Sequence, residues 1–367
     1  MARDGIYDDS VARSGPCKFC ISCRLVSAHD PDLLRDCAHI FSPSPTQQQK
    51  SPNGSPVIQY RATSKLLPSY EYVVVGSGPG GGPLAARLAI AGHSVLLIEA
   101  GDDQGSAIQE QVPALNLAST EYGPMKWDYY VNHYSNVSRQ SLDTKMTYDT
   151  PSGGLFVNGI SGQKTPPAGS TPKGILYPRA GTLGGCGSHN ALITVYPHES
   201  DWTGIQKLTG DASWAPTAMR KYFERLEDVD YTPSSLIGHG SSGWLTTSLT
   251  SLALIISDLK IISLIAAAGS AMGETWTGSV LSTILGLAQV LGRDLNSGLA
   301  GRDTSTGLYQ IPLAVKSGAR NGPREFILST ANAVKSDGSR KYILDIQLNT
   351  LVTKVRDNNF TWNEKAN

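Results

Sequence analysis

Residues 72–99 decide the fold and read YVVVGSGPGGGPLAARLAIAGHSVLLIE. The apolar, mostly β-branched run 72–75 is typical of a buried parallel strand. Small and apolar residues from Pro83 to Ala91 predict a helix that ends at Gly92. The run 94–99 then predicts a second strand. Strand, glycine turn, helix and strand in this order predict a parallel βαβ unit and an α/β fold class.

The first predicted strand runs directly into the pattern G-x-G-x-x-G, formed by Gly76, Gly78 and Gly81. The first glycine permits a tight turn, the second lets the backbone approach a diphosphate, and the third lets the helix pack closely on the sheet. Glu99 follows Gly81 by 18 residues, where its carboxylate can accept hydrogen bonds from ribose hydroxyls. NAD and FAD share this logic, so the motif does not choose between them. The cofactor-contacting residues predicted here are Gly76, Gly78, Pro79, Gly80, Gly81 and Glu99.

The amino-acid composition of the chain indicates which kind of molecule it binds. The chain has 367 residues, which is enough for two domains, and 40% of them are hydrophobic, which is enough for a large core. Lys plus Arg equals Asp plus Glu at 31 each. Because this balance gives no electrostatic footprint for nucleic acid or an acidic membrane surface, we expect a small-molecule partner.

Residues 1–69 are predicted to be a disordered or poorly defined leader and linker. Proline, serine and glutamine are frequent in residues 40–69, and such a composition buries too little apolar surface to offset the entropy of ordering. A C-x-x-C-x-x-C run begins at Cys17, and Cys37 and His39 follow. Zinc or an iron–sulfur cluster can bind such cysteines, but the spacing matches no zinc site well, so we expect no metal.

The most membrane-like stretch runs from Leu252 to Ala268, but Asp258 and Lys260 interrupt it. It falls short of a clean span of ~20 apolar residues. Its apolar positions follow helical spacing, which predicts a buried amphipathic helix and no membrane span. The start of the chain has no apolar run of the kind that a secretory signal needs, which favours a cytoplasmic location.

Two other segments show a clear preference for secondary structure. Ala215 to Asp228 predicts a helix with one charged face. Tyr342 to Val355 predicts one or two strands, because residues 350–355 alternate between polar and apolar side chains.

A second glycine-rich segment, residues 177–191, reads YPRAGTLGGCGSHNA. Small residues around Gly184, Gly185 and Gly187 let the backbone lie against a planar ring. The segment resembles the flavin-facing segment of the glucose–methanol–choline (GMC) oxidoreductases, and residues 72–101 resemble the opening FAD fingerprint of that family. Further matching landmarks are Asp201-Trp202, Trp214, Tyr222 to Glu227, His239 to Gly243, Gly318 to Arg324 and Thr350 to Val355.

The resemblance implies a Rossmann-like FAD-binding domain over residues 70–357, with inserted parts of an incomplete α+β substrate domain. It also implies that an alcohol is oxidised to a carbonyl by hydride transfer to the flavin, whose electrons pass to oxygen or another acceptor. The residues that the family places along the flavin correspond to Leu183, Gly184, Gly185, His189, Asn190 and Ala191, and the backbone of Val352 corresponds to the adenine contact.

His189 has two interpretations under this resemblance. In several members of the family, a histidine followed by asparagine carries the flavin covalently through a methyl group of the ring. The alternative is an uncharged histidine that packs beside a non-covalent FAD.

The catalytic histidine of the family lies in a C-terminal segment that does not follow here, where residues 358–367 form a polar tail. We therefore assign no catalytic residue and expect the chain to be truncated before the base. Two alternative functions remain: a hydroxynitrile-lyase-like enzyme with a redox-idle flavin, and a non-catalytic flavin-binding remnant. An NAD-dependent dehydrogenase fits the first motif but leaves residues 181–191 unexplained.

Overall fold

The computed structural model describes residues 66–159, 165–231, 238–273 and 291–354, together with residue 286. The cysteine-rich leader and the polar tail predicted above lie outside the described residues.

The secondary structure of the described residues alternates short strands with short helices. The strands are β1 (Tyr72–Val75), β2 (Val95–Ile98), β3 (Lys126–Val131), β4 (Met146–Asp149), β5 (Leu155–Val157), β6 (Thr171–Ala180), β7 (Glu227–Val229), β8 (Leu245–Ser248), β9 (Leu313–Lys316), β10 (Ala319–Arg320) and β11 (Leu344–Gln347). The α-helices are α1 (Gly81–Ile90), α2 (Ile108–Gln111), α3 (Asn116–Thr120), α4 (Val137–Gln140), α5 (Glu199–Thr209), α6 (Pro216–Leu226), α7 (Leu252–Ile256), α8 (Leu259–Ala271) and α9 (Pro323–Ala331).

The βαβ unit predicted from residues 72–99 is confirmed. β1 and β2 pair in parallel through α1, and β11 pairs in parallel with the other side of β2. The prediction of a buried first strand is wrong in part, because Val73 is 37% exposed and Val75 is 50% exposed while Val74 is buried. β1 lies at an edge of this sheet within the described residues, and Val73 and Val75 point to the face opposite Val74, which the described residues leave partly uncovered beside β1.

The main core lies between this sheet and two helices, α1 and α9. Alanines at positions 85, 86 and 89 bring α1 close to the sheet and are almost fully buried. Ile327 and Leu328 of α9 complete the core and have no exposed surface. A side chain added at Gly82 would place its Cβ 2.5 Å from Ser77 O and 2.7 Å from Ile327 Cδ1, so the close approach of α1 to the turn and to α9 favours a glycine here.

Two further sheets complete the described chain. One has the order β3-β6-β4-β5 and is antiparallel throughout. The other has the order β10-β9-β8-β7, in which β7 and β8 are parallel and the other pairs antiparallel. The fold is therefore α/β, with a Rossmann-like parallel unit joined to separate mixed and antiparallel sheets.

The predicted helix over residues 215–228 is confirmed as α6. The helical structure predicted from Leu252 to Ala268 is also confirmed, but the prediction of one buried helix is wrong. This segment forms α7 and α8, because the side chain of Asp258 accepts a hydrogen bond from Lys260 N (2.8 Å) and begins a new helix. Ile262 is buried in α8, but Leu259 and Leu264 are each 70% exposed. None of the helices in the described part of the chain is long and apolar enough to cross a membrane.

The strand predicted over residues 342–355 is confirmed only for β11. Residues 351–354 form no regular structure, so the predicted alternating strand around Val352 is wrong. Backbone hydrogen bonds instead tie the start of this segment to the end of β2, from Asn349 N to Gly101 O and from Thr350 N to Glu99 O, each 2.9 Å. Backbone hydrogen bonding to the residues after β2, and not the alternation of polar and apolar side chains, thus determines the conformation at Asn349 and Thr350.

Candidate cofactor site

The turn after β1 requires glycine at two positions, one because of its backbone conformation and one because of a close backbone contact. Gly76 has φ +89°, a left-handed conformation that strains other residues, and its N–H donates to Ile98 O at 2.8 Å. A Cβ at Gly81 would lie 2.1 Å from Gly76 O, which is far inside van der Waals contact. The turn and the start of α1 therefore approach each other as the motif predicts.

The same turn presents hydrogen-bond donors. The backbone N–H groups of Gly78, Gly80 and Gly81 donate to no acceptor among the described residues. Pro79 and Gly80 are exposed, so solvent or a ligand reaches the turn. Free N–H groups at a helix N-terminus, together with the positive end of the helix dipole, favour an anion such as a diphosphate.

Glu99 lies beside this turn, 7% exposed at the end of β2. Its Oε2 accepts from Ser77 N (2.9 Å) and Ser77 Oγ (2.5 Å), and its Oε1 accepts from Gly101 N (3.0 Å). Each carboxylate oxygen can accept more than one hydrogen bond, so Oε1 keeps capacity for a ribose hydroxyl. The ribose contact stays a prediction, and the structure adds that Glu99 also holds the turn.

The second glycine-rich segment lies directly against the first. The N–H of Gly184 donates to Ser77 Oγ at 3.0 Å, and a Cβ at Gly185 would lie 2.6 Å from Gly78 Cα. Gly184 has φ +93° and precedes a short 3-10 helix over Gly185–Ser188. Leu183 is fully buried in the main core. The structure thus brings together two motifs that the sequence shows only as separate patterns.

His189 is buried at the end of that 3-10 helix, with 5% of its surface exposed. Its Nδ1 has no hydrogen-bond partner among the described residues, while its carbonyl accepts from Ser119 Oγ and Thr120 Oγ1. Burial lowers the pKa of His189, and the positive charges of Arg320 and Arg179 lower it further. The lowered pKa favours the neutral imidazole, the form that the non-covalent interpretation of His189 assumes.

The remaining residues predicted to contact the cofactor are more exposed to solvent. Asn190 and Ala191 are exposed, and Val352 is half-buried. The backbone bond from Thr350 to Glu99 places the segment carrying Val352 beside the end of β2. The contact between Val352 and adenine stays a prediction.

Three buried residues that support the site were given no role by the sequence. Ser77 occupies a variable position of the G-x-G-x-x-G pattern, so nothing in the pattern singled it out. Arg320 and Arg324 lie in the segment Gly318 to Arg324, which resembles the family. Two arginines beside a short apolar helix are the sequence feature that could have indicated their role. Arg324 forms a bidentate ion pair with Asp103, at 2.5 and 2.9 Å, and Arg320 bonds the second segment.

A separate cavity of about 550 Å³ lies beside α9 and is not lined by any of the predicted site residues. Glu110, Arg320 and Trp244 are among its lining residues. Burial raises the pKa of the Glu110 carboxyl to about 8, with the negative charge of Glu325 adding to this effect. Glu110 is therefore mainly protonated at pH 7.

Comparison with known proteins relates this chain to one family of enzymes. No protein-family model matches the sequence. The chain is 28% identical to ecdysone oxidase of Bombyx mori over 187 residues, and 31% identical to the GMC-type oxidoreductase acuG of Aspergillus aculeatus over 160 residues. These matches cover 49% and 43% of this chain, but only 23% and 24% of the relatives, so the matched region spans about a quarter of their length.

The structure of pyridoxine 4-oxidase from Mesorbium loti superposes with a TM-score of 0.48 and 22% identity, covering 77% of this chain and 42% of that one. The sequence matches confirm the predicted resemblance: over about half of its length, this chain is similar to glucose–methanol–choline oxidoreductases.

Proposed function

We propose that this chain binds FAD between the turn at residues 76–81 and the segment at residues 184–191. We further propose that it forms part of an FAD-dependent oxidoreductase that acts on CH–OH groups. The single observation that carries the proposal is the hydrogen bond from Gly184 N to Ser77 Oγ, which joins the two predicted cofactor motifs. The relation to enzymes named as oxidases and oxidoreductases supports the reaction class.

The donor set of the turn fits the cofactor. The free N–H groups of Gly78, Gly80 and Gly81 would bind the diphosphate, and Glu99 Oε1 would accept from the ribose of the adenosine half. An NAD dinucleotide fits these residues equally well, but it gives no role to the second segment. The absence of side chains at Gly184 and Gly185 lets this segment pack closely against Arg324 and Gly78, which holds it beside the turn.

When bound, FAD supplies the acceptor for a hydride from the alcohol carbon. The residues of this chain would hold the cofactor and orient its ring, with the buried backbone of Gly184 and Gly185 beside the turn and the exposed residues Asn190 and Ala191 at the end of the segment. His189 contributes a neutral, buried imidazole beside that segment. None of the described residues is assigned as the base that takes the proton of the alcohol.

Titration of the purified protein with FAD, NAD⁺ and NADH tests the cofactor directly. We expect the absorbance and fluorescence of FAD to change on binding, with no comparable response to either nicotinamide. A protein that responds to NADH and leaves FAD unperturbed would refute the proposal. Since binding alone does not show catalysis, the FAD complex is then mixed anaerobically with a panel of primary alcohols, secondary alcohols and sugars.

Loss of the oxidised flavin absorbance with an alcohol supports the oxidoreductase. No loss with any alcohol, combined with cleavage of a cyanohydrin, supports the lyase alternative, and neither reaction supports a non-catalytic flavin-binding protein. The state of His189 is settled on the same sample by denaturation. Flavin that stays with the unfolded protein shows a covalent bond, whereas flavin in the supernatant shows that His189 packs beside a non-covalent cofactor.

A further inference from the structure

Arg320 is a buried cation whose hydrogen bonds converge on the second motif. The residue is 5% exposed, and its Nε donates to the backbone carbonyl of Glu110 at 2.8 Å. Its Nη1 donates to the carbonyls of Gly187 (3.1 Å) and Asn190 (2.9 Å), and also to Asn190 Oδ1 (2.9 Å). One guanidinium therefore ties residues 187–190 to α2.

An ordinary structural ion pair does not explain this burial. No described carboxylate lies within 4.0 Å of the Arg320 guanidinium, whereas neighbouring Arg324 pairs with Asp103 and Glu325. Nη2 of Arg320 is buried without a hydrogen-bond partner in the described chain. The nearby Glu110 carboxyl, with its pKa raised by burial to about 8, is mainly protonated at pH 7 and supplies little countercharge. Because burying a charge is costly, its hydrogen bonds to Glu110, Gly187 and Asn190, with the negative charge of Glu325 nearby, must offset that cost, and three of these four bonds lie on the second motif.

The bond to Asn190 O fixes the direction of one peptide unit. In a trans peptide the C=O and the following N–H point in opposite directions, and the described residues contain no cis peptide bond. With Asn190 O aimed at Arg320, the N–H of Ala191 points away from the guanidinium. That N–H donates to no described acceptor, and Ala191 is exposed.

The hydrogen bond from Arg320 to the Asn190 side chain also helps to hold the strained backbone of Leu192. Leu192 has φ +60°, which a leucine rarely adopts, although its side chain is buried. Its N–H donates to Asn190 Oδ1 at 3.0 Å, the same oxygen that Arg320 holds. Backbone strain of this kind persists where the surroundings determine it, and it is frequent at ligand sites.

We propose that Arg320 is a positioning residue for the cofactor ring, holding the Asn190–Ala191 peptide so that the Ala191 N–H faces the bound flavin. This inference rests on the proposed FAD site. The guanidinium lies on the side of this peptide opposite the Ala191 N–H and acts through two oxygens of Asn190, its backbone carbonyl and its side-chain amide oxygen.

Arg320→Gln and Arg320→Lys test the proposal, with Arg220→Gln as the matched control. Arg220 is also partly buried and bonds backbone carbonyls, those of Gly238, Asn296 and Ser297, outside the second motif. We expect Arg320→Gln to weaken FAD binding about 10-fold or more and to change the visible circular dichroism of the bound flavin. Arg320→Lys keeps the positive charge but loses the planar guanidinium that donates in several directions at once, so an intermediate affinity is expected. Arg220→Gln should bind FAD within about 2-fold of the wild type.

Unchanged affinity together with an unchanged dichroism spectrum in Arg320→Gln would overturn the positioning role. If Arg320→Gln does not fold, the same two measurements on Arg320→Lys decide, and wild-type values there overturn the role. Wild-type protein that binds no FAD refutes the proposed function itself. Wild-type binding with unaffected Arg320 variants refutes only this inference.

Discussion

The hydroxyl of Ser77 lies 3.0 Å from the backbone nitrogen of Gly184 and accepts its hydrogen bond across a separation of 107 residues. The same hydroxyl donates to Glu99 Oε2 at 2.5 Å, and Ser77 has no exposed surface. One small side chain thus joins the glycine turn, the acidic end of β2 and the second motif.

Ser77→Ala removes both of these side-chain bonds and leaves Gly184 N without its acceptor. We expect a loss of about 1–3 kcal/mol in the free energy of unfolding, because buried groups lose their partners. FAD affinity should fall as well. Ser329→Ala is the control, since the exposed Ser329 hydroxyl bonds only a carbonyl of its own helix, at 3.0 Å. Urea unfolding measures both variants, and a Ser77→Ala protein as stable as the control would contradict the prediction.

Adjacent glycines in the first motif are predicted to respond differently to alanine. At Gly81 the new Cβ would meet Gly76 O at 2.1 Å, so the turn or the helix must move. At Gly80 a Cβ meets no atom within 4 Å, and φ is −89°. We expect Gly81→Ala to lose about 1–3 kcal/mol or more, and Gly80→Ala to stay within about 1 kcal/mol of the wild type. Thermal unfolding without cofactor tests this, and equal melting temperatures for the two variants would refute the steric argument.

The contrast between the two motifs shows what could be predicted from the sequence. The βαβ unit was predictable because its signals are local: a β-branched run, glycines at fixed spacing and a stretch of small residues. The second motif was recognisable by its glycines, but not its position against Gly78. That contact arises from packing between segments far apart in the chain.

The errors have the same physical origin. The exposure of Val73 depends on which strand lies beside β1, and no local pattern carries that information. Leu259 follows helical spacing as well as Ile262 does, yet Ile262 is buried and Leu259 is exposed. Ser77 and Arg320 support the site through backbone groups of distant residues, which a sequence pattern does not reveal.

His239 should make stability depend on alkaline pH. Its Nδ1 lies 2.8 Å from Glu227 Oε2 and its Nε2 lies 2.7 Å from Asp294 Oδ2, with Tyr231 packed against the ring. Burial alone lowers the pKa of His239, but the hydrogen bonds to Asp294 and Glu227 outweigh it and raise the pKa to about 9. Because the folded pKa exceeds the unfolded value of about 6.5, the stabilisation is complete below pH ~6.5 and is lost as the pH rises through ~9.

This loss is expected to be on the order of 2–3 kcal/mol, and it is measured as the difference between wild type and His239→Gln at each pH. The difference is needed because Glu110, whose pKa is raised to about 8, also loses stabilising protonation over part of this range. Glu110 contributes equally to both proteins and cancels. Asp294, with its lowered pKa, titrates at acidic pH and does not interfere. A constant difference from pH 6 to 9.5 would contradict the prediction.

Glu99→Gln is predicted to affect both the fold and the cofactor site, and the two effects are separable. The carboxylate of Glu99 accepts three hydrogen bonds from Ser77 and Gly101, so an amide –NH₂ in its place sets donor against donor. We expect a loss of about 1–3 kcal/mol in unfolding free energy without FAD. A ribose contact adds a second effect: saturating FAD should stabilise the variant less than it stabilises the wild type. Glu71→Gln is the control, because Glu71 also accepts from a backbone N–H, that of Ser94 at 2.8 Å, but is exposed. Equal stabilisation of Glu99→Gln and wild type by FAD would remove Glu99 from the ribose site while leaving its role in the turn intact.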